Sequence, residues 1–90
     1  MNMTYVVKMP KHLDKVIREM PKNTRIMLAK LIDDITNTGP VQPSYHNYSK
    51  LGKDRYHCHL GYKWVAVWRY EQGTYIVEVE YVGSREKAPY

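Results

Sequence analysis

The sequence predicts an α+β domain in which an N-terminal strand, an antiparallel hairpin of two helices and a three-stranded antiparallel meander follow one another, with the helices on one face of a sheet of about four strands. Three observations carry that prediction. Two apolar stripes at helical spacing occupy the first half, three segments rich in β-formers occupy the second, and "EQG" between the last two segments marks a tight hairpin. A chain of 90 residues suits one domain over 1–90 with a modest core, and no repeat or linker divides it.

"TYVVKMP" places β-branched and aromatic residues ahead of Pro10, which predicts a short strand near Thr4 to Lys8. Leu13, Val16, Ile17 and Met20 then fall on one helical face, so a helix is expected over about 11–20, ended by Pro21. Asn23 is the candidate cap of a second helix with the stripe Met27, Leu28, Leu31, Ile32 and Ile35, stopped by Gly39 and Pro40. From Pro40 to Gly52 two prolines and no period predict a loop. The strands "DRYHCHL", "YKWVAVWRY" and "TYIVEVEYV" complete the order.

Alternation at period 2 sorts these strands into faces. Tyr56, Cys58, Leu60, Trp64, Ala66, Trp68, Val77, Val79 and Tyr81 form one face, which suits the helices. Arg55, His57 and His59, with Lys63, Val65, Val67 and Arg69, and with Ile76, Glu78 and Glu80, form the other, expected to be free. Beside it "GSREKAPY" brings Arg85, Lys87 and Tyr90. Tyr45 and Tyr62 are read as packing residues, and His12 and His46 receive no role.

Composition narrows the classes. Cys58 is the sole cysteine, so no internal disulfide forms and a reducing, cytoplasmic setting is expected. No signal-like N-terminus and no run of about 18 apolar residues is present, so no membrane partner is expected. A net charge of +5 favours an anionic partner. Cys58 points away from His57 and His59 and no third ligand stands at a recognisable spacing, so neither a metal site nor a cofactor is expected.

A face of cations and imidazoles suits phosphodiester chemistry. Attack by a ribose 2′-hydroxyl requires a base for that proton, fixed positive charge for the phosphorane and an acid for the leaving 5′-oxygen, and it requires no metal. Arg85 and Lys63, expected to project from strand ends onto the free face, are the candidates for holding the phosphorane. Lys53 is preferred as base, lowered by its cationic neighbours, and His57 is the alternative. Tyr90 is the candidate for stacking on a base, with Lys50, Arg55, Arg69 and Lys87 binding the RNA backbone.

The stretches "KLGKDRYHCHLGYKWVAVW" and "VGSREKAPY" resemble, respectively, the Leu-x-Gly, strand, Gly-Tyr-Arg, strand signature and the Gly-x-Arg-Glu ending of the RelE/ParE superfamily of bacterial toxins. That resemblance implies a toxin that cleaves mRNA, usually on the ribosome, and is silenced by a cognate antitoxin. It matches Arg85 to the arginine that steadies the phosphate and Tyr90 to the C-terminal tyrosine. Lys63 stands where the family has arginine, and Lys50 and Lys53 stand in its basic stretch. The ParE branch, which shares the fold but inhibits DNA gyrase without cutting RNA, is the alternative.

Overall fold

A computed structural model describes residues 4–90. Strand β1 (Val6–Lys8) leads through a 3-10 turn (Lys11–Leu13) into helices α1 (Asp14–Glu19) and α2 (Lys22–Thr38). Strands β2 (Ser49–Lys50), β3 (Arg55–His59), β4 (Trp64–Glu71) and β5 (Ile76–Ser84) follow, and a second 3-10 turn (Arg85–Lys87) comes after β5. The sheet order is β1-β5-β4-β3-β2.

The predicted class holds, with two differences in the sheet. It has five strands because Ser49 and Lys50, inside the expected loop, pair with His57 and Tyr56. It is mixed because β1 runs parallel to β5, pairing Val7 with Val77, a geometry that needs the long crossover the intervening helices and strands supply.

Pro21 divides the helices and itself opens α2, its φ of −56° being preset for that place. Asn23 therefore lies within the first turn of α2 and caps nothing. Thr24, Leu28, Leu31 and Ile35 form the buried stripe of α2, whereas Met27 remains on the surface. The helix ends at Gly39, whose φ of 96° disfavours any side chain and whose position leaves no room for one, since an added Cβ would lie 2.8 Å from the Tyr5 ring.

The core joins that stripe to Tyr56, Cys58, Leu60, Ala66, Trp68, Val77, Val79 and Val82, with Trp64 packed at its edge. Trp68 is fully buried and satisfies its indole by donating to the Pro40 carbonyl at 2.9 Å. Leu31 is 1% exposed, so Leu31→Ala is expected to lower unfolding free energy by about 2–5 kcal/mol in a urea titration.

One facial assignment changes. An irregularity between Val67 and Trp68 shifts the register so that Val67 faces Tyr81 while Trp68 faces Val79. This bulge reverses the alternation beyond it, carrying Tyr81 to the face away from the helices and placing Val82 in the core. That second face is not simply water-exposed: Val65 and Val67 are fully buried and His57 is 8% exposed.

Candidate active site

Strand alternation drives Tyr56, Cys58 and Leu60 into the core and so presents His57 and His59 together on the opposite face, their ring centroids 5.9 Å apart. Ser49, directly across from His57 in the register, shares that face and is hydrogen-bonded through Oγ to His57 Nδ1 at 2.9 Å. His59 N–H donates to the His46 carbonyl at 2.8 Å, which ties the preceding loop to β3 and sets the His46 ring 6.0 Å from that of His59. Asn47, at a φ of 53° that asparagine tolerates, lies 3.4 Å from His59 Nδ1 through its amide nitrogen.

Arg85 reaches this face from the end of β5. Its main-chain N–H donates to the Lys63 carbonyl at 2.7 Å, fixing the start of the 3-10 turn against the β3–β4 connection. Its guanidinium lies 5.8 Å from the Tyr62 ring and borders a cleft of about 640 Å³ shared with His46, Asn47 and His59. Tyr90 packs on His57 with ring centroids 4.5 Å apart.

The surroundings act on the imidazoles in one direction. Burial lowers the pKa of His57, with a hydrogen bond to the Ser49 main chain opposing it. Burial also lowers that of His59, joined by the charges of His57, His46 and Arg85. Both rings are thus held toward the neutral, proton-accepting form around neutral pH. Among the described residues no group of three or more His, Cys, Asp or Glu side chains is disposed to hold a metal ion.

Solved structures share this architecture. The archaeal RelE–RelB complex from Pyrococcus horikoshii OT3 superposes with a TM-score of 0.75 at 20% identity, covering 96% of this chain and 100% of that one. A doubly substituted mutant of E. coli toxin RelE in the free state follows at 0.72 and 18%, covering 96% of this chain and 88% of that one. A metal-bound toxin from Helicobacter pylori aligns at 0.69 and 22%, covering 94% and 98%. The chain has the fold of the RelE-like toxins. No family model matches the sequence. No curated protein matches it either.

Placed on this RelE-like fold, the residues singled out in the sequence divide into two groups. Arg85, His57 and Tyr90 come together with His59. Lys53 does not join them. It precedes Arg55, whose register partner is Arg69, whereas Arg85 adjoins Lys63 six residues away along β4, about 20 Å of strand. Lys63 shares a main-chain bond with Arg85 but borders a separate depression with Pro21, Thr24 and Trp64, because it lies in the bend before β4, where strand alternation does not operate.

Lys50 pairs with Tyr56 and so takes the helix side of the edge strand, its Nζ 5.8 Å from the Tyr56 ring. Arg55 and Arg69 occupy the expected face, yet they are engaged by carboxylates: Arg55 Nε by Glu80 at 2.8 Å, and Arg69 by Glu78 at 3.4 Å and Glu80 at 3.6 Å. Lys87 is exposed and borders a depression shared with His12 and Val16 of the α1 side. Tyr62, read as a packing residue, is instead 80% exposed, while Tyr45 is buried as expected.

The sequence reading left His59 and His46 without roles. His59 was accessible through its period-2 relation to His57. His46 carried no local signal, since the contact with His59 arises only when the loop closes on β3.

No helix among the described residues is long and apolar enough to cross a membrane.

Proposed function

We propose that this chain is the toxin of a toxin–antitoxin pair and cleaves ribosome-bound mRNA by attack of a ribose 2′-hydroxyl on the adjoining phosphate. The observation that carries the proposal is that His59, paired with His57 and like it held toward neutrality, lines one cleft with Arg85. A neutral imidazole takes the 2′-proton as the oxygen attacks phosphorus, and the guanidinium stabilises the charge that gathers on the phosphorane oxygens. The P–O5′ bond then breaks, and the leaving oxygen receives the proton that the imidazole pair took from the 2′-oxygen. Tyr90 orients the substrate beside His57 by stacking. Lys53, the base preferred from sequence, is replaced in this scheme by the imidazole pair, because it stands near the far end of β4. Lys63 holds the Arg85 main chain and lends long-range positive charge.

Three of the solved RelE-like structures are complexes, with RelB, YefM and DinJ. A basic face implies a cognate antitoxin with an acidic or amphipathic segment that covers it.

Transcript cleavage mapped by primer extension after induction tests the reading, run beside a gyrase supercoiling assay. The expected result is cut transcripts with supercoiling intact, and cleavage of ribosome-bound transcripts unchanged when the purified protein has been treated with EDTA and desalted, because every catalytic role is filled by a side chain. Blocked supercoiling with intact transcripts would replace this reading by gyrase inhibition. Loss of cleavage by the EDTA-treated, desalted protein would remove the side-chain mechanism.

A further inference from the structure

The cleft beside Arg85 and His59 is far larger than a phosphate requires, at about 640 Å³. It continues from the imidazoles toward α2, where Met27 forms one wall and the β3–β4 connection with Tyr62 forms another. Tyr62 keeps 80% of its surface exposed, an unusual placement for a large ring with a guanidinium 5.8 Å from its centroid.

At the α2 side the cleft is bordered by the ammonium of Lys30, whose side chain is 61% exposed. Lys30 Nζ donates to Asp34 Oδ2 at 3.0 Å and to the Tyr45 hydroxyl at 3.3 Å, and Tyr45 donates to the same carboxylate oxygen at 2.5 Å. An ammonium has three N–H donors, so two are spent on holding its position and one remains for a ligand. Tyr45 is buried, which anchors this group to the body of the domain.

We infer that the cleft is a nucleobase subsite for the nucleotide adjoining the scissile phosphate, with Tyr62 and Met27 flanking the base and Lys30 donating to a keto oxygen. The inference rests on the RNA-cleaving reading and adds to it a preference for guanine or uracil over adenine, whose exocyclic group is itself a donor. Tyr62, whose ring is 5.8 Å from the Arg85 guanidinium, lies within one nucleotide's span of a phosphate held there. The competing occupant is an acidic antitoxin segment, which would meet Lys30 and Arg85 as counter-charge, and the test includes it.

The test compares the wild type with Lys30→Met, which keeps the aliphatic stem, and Tyr62→Ala, after circular dichroism has shown each to be folded. Ribosome-bound mRNAs differing only in the base beside a defined cleavage point are used as substrates. Short 2′-O-methyl analogues of the same sequences, which lack the attacking hydroxyl, are used for binding followed by NMR. The wild type is expected to favour keto bases about tenfold, Lys30→Met to lose that preference, and Tyr62→Ala to weaken all four bases by about tenfold. Keto-selective binding that shifts Met27 and Tyr62 resonances without cleavage sustains the subsite and removes the nuclease reading. A base preference unchanged in Lys30→Met overturns the subsite while leaving cleavage in place. So does displacement of the same resonances by an antitoxin peptide and by none of the oligonucleotides.

Discussion

Arg85→Ala is expected to lower the rate of transcript cleavage by about 10²–10³-fold, the usual consequence of removing one preorganised charge from an oxyanion or phosphorane. The fold should survive. The Arg85 side chain is exposed, and the contact that fixes the turn is its main-chain N–H to Lys63, which alanine keeps. Single-turnover cleavage of a bound transcript is the measurement, since it reads the chemical step and not product release. Arg85→Lys should recover only part of the loss, because an ammonium lacks the planar fork that meets two phosphoryl oxygens at once. A wild-type rate in purified Arg85→Ala would remove Arg85 from the mechanism.

Replacing His57 and His59 together by alanine is expected to cost about 10²–10⁴-fold, the range for loss of general acid–base catalysis. The pH dependence supplies a second reading. Burial lowers both pKa values, with neighbouring positive charge adding to the effect at His59, so the imidazoles stay neutral to a lower pH than free histidine. On the acid side the rate should therefore hold through the ordinary imidazole range near about 6.5 and decline only below it. The two rings are close enough to titrate as a pair, so the midpoint belongs to the pair and not to either residue. Stability moves in the same direction. The unfolded chain takes up these protons near about pH 6.5 and the folded chain only at lower pH, so unfolding free energy falls as the solution is acidified through that interval. Chemical denaturation at several pH values checks this, and the double variant should flatten the dependence. A rate that declines already above pH 7 in step with a lysine-like group would return the base to Lys53.

Much of the fold was legible because its causes are local. The stripe of Leu28, Leu31 and Ile35 needs only helical periodicity to be recognised, and Pro21 breaks the helices wherever they pack. Tyr56, Cys58, Leu60, Ala66 and Trp68 declared their face by alternation alone. The departures occur where alternation is interrupted. Tyr81 was assigned to the core because a bulge is a property of two paired strands, and nothing in "EVEYVG" by itself announces it. Lys63 was assigned to the free face although it lies in a bend, where a strand rule has no force.

The candidate site divides in the same way. Arg85 and Tyr90 stood out from their sequence context, and His57 from its strand. Their association with His59 and His46 depends on pairings between distant segments, of β2 with β3 and of Arg85 with the Lys63 carbonyl. Arg55 and Arg69 show the converse. Each looked available as a cation in sequence, yet the adjacent strand β5 supplies Glu78 and Glu80 against them. Those pairs are partly exposed and of small energetic value, but they neutralise charge that an RNA backbone would otherwise meet.

By itself, then, the sequence determined the element order, the helix-facing side of the sheet and the basic character of the chain. All three follow from interactions between near neighbours and from composition. Tertiary structure alone decided which cations share a site, because charge carries no address along the chain. Lys53 and Arg85 are equally cationic, and only the register of β3, β4 and β5 places one near the far end of the sheet and the other beside two imidazoles.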